Sequence, residues 1–540
     1  MRIGGIASGM DTEQMVSELM KVERMRVDRL FQQEQRLKWR QEAYNNINRQ
    51  MANFILDSKK AFGLTTTTSS GVMLSSSVNN LNWVKKATSS NESYVKVTAS
   101  ANAMAGTHTV KVKELAEVAR VSSGKLLKYD EVTGELSKNS VLDEGLKFKE
   151  NGSFTIKTAT GEKTFDIGED SIKNINDLVK EINNATVIDE NGKTVSLGLR
   201  AAFDKGLGQL MISTKDTGAD QNINITTTIG GIFAGDAIEK TGKDAEIEFN
   251  GETVTKSTNN FSVYGINLQL QSKQVEEAEP ITLHVDSDVD SMFDKIKSFV
   301  DEYNKIIDDI NGQLGQKYYR DFPPLTSEQK EAMTEKDIEL WEEKSKSGLI
   351  KNDGNLTRML QTMRTQLYEK VEGVNGSYNH ITQIGITTGR YQDGGKLVID
   401  EEKLKNAIND DPEGVMDLLF KVPDGSVADE EKFQNTGLVQ RIYDTMVDGM
   451  KEIITKSGPG EDAALLRNVR SNILIDFVTK QSSISLLDKD LSNISNRIAR
   501  EESILLKRED SYWQRFTAME KAMASMQQQS MWLMSQMGLQ

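Results

Sequence analysis

The sequence predicts an α+β multidomain protein in which terminal coiled-coil helices and a helical bundle form a leg, and antiparallel β head domains are inserted into that leg. Three observations predict it. A stretch free of Gly and Pro runs from Thr12 to Phe62 with apolar residues at heptad spacing. The last sixty or so residues carry the same spacing. Between them the apolar period changes to two over residues 83–287 and returns to helical spacing after Asp288.

Asp11 stands as a helix N-cap with Gln14 as its capping-box partner, and Gly63 supplies the stop. About 50 helical residues span roughly 75 Å. Leu30, Leu37, Tyr44 and Met51 recur every seven residues, with Ile47 and Phe54 at the complementary position. Such a repeat requires a partner helix. The N-terminal part of the complementary seam reads as polar, through Arg26, Gln33 and Arg40. The Thr65–Ser77 stretch, rich in Thr and Ser, reads as a linker. Tyr94–Thr98, Thr109–Lys113, Phe154–Lys157 and Leu210–Ser213 alternate as half-buried strands. Asn151-Gly152, Asn191-Gly192, Asp204-Lys205-Gly206 and Asn250-Gly251 mark turns, and Ile175, Leu178, Val179 and Ile182 mark one helix. Phe293, Ile296, Val300, Tyr303 and Ile307 open the second helical region. Pro323-Pro324 stops it, and Thr326 with Gln329 opens a short charged helix. Helices follow through Leu356–Leu367 and Leu404–Leu419, a hairpin flanks Asp393-Gly394-Gly395, and Gly458-Pro459-Gly460 breaks the chain. Ile484, Leu491, Ile498, Leu505, Tyr512, Met519, Met526 and Leu533 then recur every seven residues; Leu487, Ile494 and Ala522 share the second seam with the interrupting Glu501, Arg508 and Arg515. The domains so defined are a coiled-coil leg (1–42 and 484–540), a mainly helical leg domain (43–77 and 288–483), a β head (78–129 and 244–287) and an outer β-rich head (130–243). The N-terminal helix beyond residue 43 supplies one member of the bundle.

The chain has 540 residues and a net charge of −15. Residues 1–62 carry +3 and residues 484–540 carry 0, leaving −18 between them. An acidic middle disfavours nucleic acid, whose binding rests on phosphate neutralisation. There is no Cys, so disulfides, thiol catalysis and Cys-ligated metals are excluded. The three His (His108, His284 and His380) are far apart in sequence. Asp286-Ser287-Asp288-Val289-Asp290 starts like a calcium loop, but Ser291 and Lys297 stand where Gly and Glu are needed, so these acids read as helix caps. No nucleophile elbow, metal-binding HExxH or Ser-His-Asp pattern occurs. The expectation is therefore no enzyme, with no catalytic, metal or cofactor site and no membrane insertion. Met519, Met523, Met526, Met531, Met534 and Met537 are six Met in nineteen residues beside Trp532. They fit either ordinary coiled-coil filler or an adaptable contact surface.

Ile6-Ala7-Ser8-Gly9-Met10-Asp11-Thr12, followed by Val16, Leu19-Met20 and Glu23, resembles the N-terminal signature of the bacterial flagellar filament-capping protein family, FliD. Phe154 through Ile182-Asn183-Asn184 to Leu210–Ser213 is similar to the insert repeat of flagellins and cap proteins. Asp244-Ala245, Asn250-Gly251, Asn260 and Gly265-Ile266 are similar to the family's later β segment. Phe299-Val300, Tyr303-Asn304, Ile384–Ile386 and Gly395–Leu397 are similar to its C-terminal half, and Phe516–Glu520 with Gln527–Ser530 to its end. The region around 323–347 is the least family-typical. The resemblance implies a homo-oligomeric cap, usually a pentamer, at the distal tip of the flagellum, where it promotes insertion and folding of exported flagellin and prevents its leakage. It implies extracellular placement through the flagellar type III route without a cleaved signal peptide. Flagellin, hook–filament junction proteins and an export chaperone are the implied partners. The filament-contact residues expected on this reading are Leu30, Leu37, Tyr44, Leu505, Tyr512, Phe516, Met519, Met523 and Met526, with Ala7, Ser8, Gly9, Met10 and Asp11 as the N-terminal motif. The half-polar seam implies legs that order only on the filament. The competing readings are a flagellin or hook–filament junction subunit, an adhesin-type binding head, and an enzyme.

Overall fold

The structure is a computed structural model that describes residues 11–67, 73–127, 141–143, 145–168, 170–189, 192–233, 237–423, 428–458 and 485–536. The chain divides into two compact units, one of residues 77–288 and one of residues 1–76 with 289–540.

In the first unit, alternation of apolar and polar residues builds antiparallel sheets with one buried face. A five-stranded sheet is ordered Glu252–Lys256, Ala245–Phe249, Gly106–Glu114, Ile281–Ser287 and Lys85–Ser89. A three-stranded sheet of Asn260–Val263, Ile266–Leu270 and Val95–Ala99 accompanies it. Val95, Val110, Val112, Ile247, Phe249, Leu283 and Val285 form their common core. A second core gathers Phe154, Ile156, Leu210, Ile212, Ile223 and Ile225, and the helix Ile175–Asn183 seats Ile175, Leu178 and Ile182 in it. Its sheets are ordered Ala237–Thr241, Asn222–Thr227, Gly152–Thr158, Gly161–Ile167, and Leu199–Asp204, Gln209–Thr214, Arg120–Ser122. The strand Arg120–Ser122 pairs with Gln209–Thr214, so the chain enters the outer core by Ala119 and not near residue 130. Asn250-Gly251 turns a hairpin at φ 51° and 87°, the mirror-image turn its sequence calls for. Asn151-Gly152 does not: Gly152 opens a strand paired with Gly161–Ile167.

In the second unit the N-terminal helix runs Thr12–Phe62 and the C-terminal helix runs Leu486–Gln536, each of 51 residues. Between them lie Val289–Gly315, the short Ser327–Glu331 and Glu335–Lys346, Gly354–Leu367, Glu401–Asp410, Pro412–Phe420, Asp429–Lys432 and Leu438–Ser457. The Thr326 and Gln329 capping box forms as the sequence predicts. The linker-like Thr/Ser stretch instead holds a two-stranded ladder, Thr65–Thr67 against Met73–Ser75. β-branched Thr suits a pleated pair, and that preference outweighs its linker-like composition.

Candidate functional site

The terminal helices form one long antiparallel pair. The N-terminal helix starts because Asp11 accepts the Gln14 N–H at 2.9 Å, and it stops at Gly63 (φ 77°), whose N–H reaches the Lys60 carbonyl at 2.9 Å. The C-terminal helix starts where Ser485 accepts the Asp488 N–H at 3.0 Å. Gln41 donates to Asp488 at 3.0 Å, while Glu23, further toward the N-terminus, accepts from Arg508 and from Tyr512 at 3.3 Å. These two ties run in opposite senses along the helices, which fixes the antiparallel direction.

Between the ties Val27, Leu30 and Ile498 form a small apolar cluster, with Ile494 and Leu505 packed against it. From Leu487 to Tyr512 the C-terminal seam follows the heptad read from sequence, whereas Met519, Ala522, Met526 and Leu533 further along are exposed. The N-terminal one is rotated: Val27, Gln41 and Asn48 are buried, whereas Arg26 and Gln33 are exposed. Both rotations satisfy a spacing of seven, and the complementary side expected from sequence is apolar only at Ile47 and Phe54. Those two residues are buried for another reason: Phe54 stacks 5.5 Å from Phe299 in the helical body.

The candidate contact residues separate into three groups. Leu30 is buried in the seam, and Leu37, Leu505, Tyr512 and Phe516 are half-buried. Tyr44 is fully buried and offers no surface to a partner, which corrects its assignment as a contact residue. Met523 is half-buried, while Met519 and Met526 are exposed at 36% and 69%. Asp11 is the N-cap; Ala7, Ser8, Gly9 and Met10 lie outside the described residues.

Tyr44 instead anchors the pair to the body. Its hydroxyl donates to Asp353 at 2.6 Å, and the Lys456 ammonium binds the same carboxylate. Asp353 also caps Gly354–Leu367 by accepting the Asn355 and Leu356 N–H groups, each at 3.1 Å. Burial works against the Asp353 carboxylate, yet the hydrogen bonds from Lys456, Tyr44 and Leu356 outweigh it and hold its pKa below the usual carboxylate value. Burial and the bond to Asp353 push the Tyr44 phenol up. Gln41 adds a second anchor by donating to the Ser457 carbonyl at the end of Leu438–Ser457. Neither anchor is legible in the sequence. Asp353 ahead of Gly354 and Leu356 carries a cap signal, but its pairing with Lys456 has no local signature.

Around and beyond the Glu23–Arg508 tie both helices carry exposed apolar side chains. Met15, Leu19, Val22 and Met25 on one helix and Met526, Met531, Trp532, Leu533 and Met534 on the other are 39–69% exposed. Exposed apolar side chains gathered in one short stretch, as at Met531–Met534, mark a candidate contact site. No described helix is long and apolar enough to cross a membrane.

Residues 8–119 match the family profile of the flagellar hook-associated protein 2 N-terminus, and residues 242–528 match that of the flagellar hook-associated protein 2 C-terminus. Flagellar hook-associated protein 2 of Halalkalibacterium halodurans is 32% identical over 97% of this chain and 97% of its own. That of Thermotoga maritima is 25% identical over 76% of this chain and 64% of its own. Among solved structures, the D1-D2-D3 domains of the flagellar cap protein FliD from Escherichia coli cover 77% of this chain and 96% of their own at 21% identity and a TM-score of 0.48. With both of its terminal regions matched and a relative this similar end to end, the chain belongs to the flagellar hook-associated protein 2 family.

Proposed function

We propose that this chain is a structural capping subunit at the distal tip of the bacterial flagellar filament. The observation that carries the reading is the antiparallel terminal pair, anchored at Tyr44 and Gln41 and ending in exposed Met, Leu and Trp side chains. Such a pair is a leg whose far end must be covered by something else. Membership of the flagellar hook-associated protein 2 family supports the flagellar setting. On this reading the subunit assembles with copies of itself, usually into a pentamer. It receives exported flagellin, promotes its insertion and folding, and blocks its leakage. It reaches the outside through the flagellar type III route with an export chaperone and meets the hook–filament junction proteins on the way. Catalysis has no part in this role.

The test is a strain lacking the protein, complemented with wild type or with Leu505→Asp. Leu505 packs against the Val27, Leu30 and Ile498 cluster, so a carboxylate there opens the leg. Wild type restores filaments with capped ends in negative stain. Leu505→Asp secretes unpolymerised flagellin while the β unit keeps its circular dichroism signature. Normal filaments without the protein would overturn the reading.

A further inference from the structure

An open cavity of about 560 Å³ in the second unit is lined by the two terminal helices and by the segments carrying Tyr318 and Gly348. Arg36 and Arg40, one turn apart on the N-terminal helix, and Arg497 on the C-terminal helix all line it. Asp490 shares the wall, and Leu37 and Ile494 contribute an apolar floor. Among the described residues none of the three guanidiniums has a carboxylate within ion-pair distance, whereas the nearby Arg508 is matched to Glu23. The Nε of Arg40 is buried without a hydrogen-bond acceptor. Two of the three are held by rings: Arg36 lies over Tyr318 at 5.9 Å and Arg40 over Tyr44 at 5.8 Å. Among the described residues, three arginines thus line one cavity without a carboxylate in ion-pair distance.

Guanidiniums that share a cavity repel one another, and that repulsion is relieved when anionic oxygens enter. The planar fork of Arg fits carboxylate in a bidentate way that Lys cannot copy. The apolar floor selects a carboxylate on a hydrocarbon stem over a bare inorganic anion. We propose that this cavity receives an acidic, amphipathic helix of a partner protein. Two carboxylates spaced i, i+4 engage the Arg36 and Arg40 row and Arg497, and an apolar residue between them rests on Leu37 and Ile494. This site stands apart from the exposed Met-rich end and from the capping role, since it can be read on the purified chain.

The experiment is isothermal titration of the full-length protein at low salt. The probes are a short blocked helical peptide with Glu at i and i+4 flanking Leu, the same peptide with Gln for both Glu, and free glutarate. The Glu peptide should bind one site per chain at least about tenfold more tightly than the Gln peptide. Arg36→Gln with Arg497→Gln should lose at least about tenfold in affinity at unchanged helix content, and the Lys pair at the same positions should fall between. The Lys pair keeps the charge count, so it answers the question even where the Gln pair unfolds. Equal binding of the Glu peptide by the Gln pair, or no saturation below about 1 mM, overturns the site. Glutarate binding as tightly as the peptide, with the same dependence on Arg497, overturns the partner helix in favour of a small-acid pocket.

Discussion

Between Tyr44 and Phe62 the N-terminal helix buries Tyr44, Ile47, Met51, Ile55 and Phe62 to 2% exposure or less. Between Thr12 and Leu37 it buries Val16, Met20, Val27 and Leu30, while Met15, Leu19, Val22 and Met25 stand 39–61% exposed. The backbone is the same unbroken helix in both halves. What differs is the number of sides covered. The second half is packed by Val289–Gly315 and Leu438–Ser457, with Phe62 lying 5.5 Å from Phe299 and 4.7 Å from Phe420. In the first half, among the described residues, Val27 and Leu30 cluster with Ile494, Ile498 and Leu505 of the C-terminal helix. Helices draw most of their stability from tertiary packing, so the two halves should open with different free energies.

The largest effect should come from Phe62→Ala, which removes a ring from the aromatic stack and should cost about 3–5 kcal/mol in urea unfolding. Leu30→Ala should cost at most about 2 kcal/mol, because Val27 and Ile498 can close over one partly open seam. Its hydrogen-exchange footprint should stay within Thr12–Leu37 and the facing stretch of the C-terminal helix. Equal costs for the two substitutions, or exchange spreading into the aromatic stack from Leu30→Ala, would dissolve the distinction between the halves.

Asp353→Asn attacks the joint between them and should cost about 2 kcal/mol at neutral pH, discounted because Lys456 is 28% exposed. Its pH dependence follows from sign. The folded pKa of Asp353 is depressed, so its contribution is present above the unfolded value of 3.8 and is lost as pH falls through the folded one. Burial acts to lower the folded pKa of Lys456, but Asp353 and Tyr44 outweigh it and raise that pKa. Its contribution is complete below 10.5 and is lost as pH rises through the folded value. Wild type should therefore weaken in acid, and Asp353→Asn should flatten that limb. Unfolding midpoints at pH 7 and pH 3 measure it; an unchanged acid slope would remove Asp353 from the account.

Much of this is legible in sequence because it rests on local rules. Asp11, Gly63, Thr326 with Gln329, and Asn250-Gly251 each set a boundary through their own backbone. The α+β class follows from the change of apolar period. What stays open in the sequence depends on distant partners. Heptad spacing does not say whether the seam turns through Arg40 or Gln41; the Asp488 and Ser457 acceptors decide it. Tyr44 reads as a contact residue because it shares the seam with Leu30 and Leu37, and only the position of Asp353 shows it to be internal. Arg40 reads as a polar interruption, because its convergence with Arg36 and Arg497 needs both helices in place.

A smaller effect, of opposite sign, should come from Asn48→Leu. Asn48 is fully buried and both polar atoms of its amide lack a partner. A polar residue in a seam trades stability for register. Removing an unsatisfied amide should stabilise the protein by about 1 kcal/mol, read as a higher unfolding midpoint. A loss of stability would instead mean that Asn48 is satisfied by a buried water.

The smallest effect on stability should accompany the sharpest effect on function. Met519, Met523 and Met526 lie on the C-terminal helix beyond the tie at Tyr512; Met523 is half-buried, and Met519 and Met526 are 36% and 69% exposed. Exchange of all three for Ile should leave the unfolding midpoint within about 1 kcal/mol, since little packing is disturbed and Ile is only slightly the poorer helix former. Under the proposed capping role, a closed ring of identical subunits meets a helical lattice whose symmetry it cannot match, so identical legs face non-identical surroundings. An unbranched thioether changes rotamer at modest cost and keeps its contact area. A β-branched side chain is confined to about one rotamer in a helix and fits one site at the expense of the others. The triple variant should therefore fold normally yet release flagellin into the medium, raising the ratio of secreted monomer to filament. A ratio equal to wild type would make these methionines ordinary filler, and the exposed half of the leg would then need a contact of another kind.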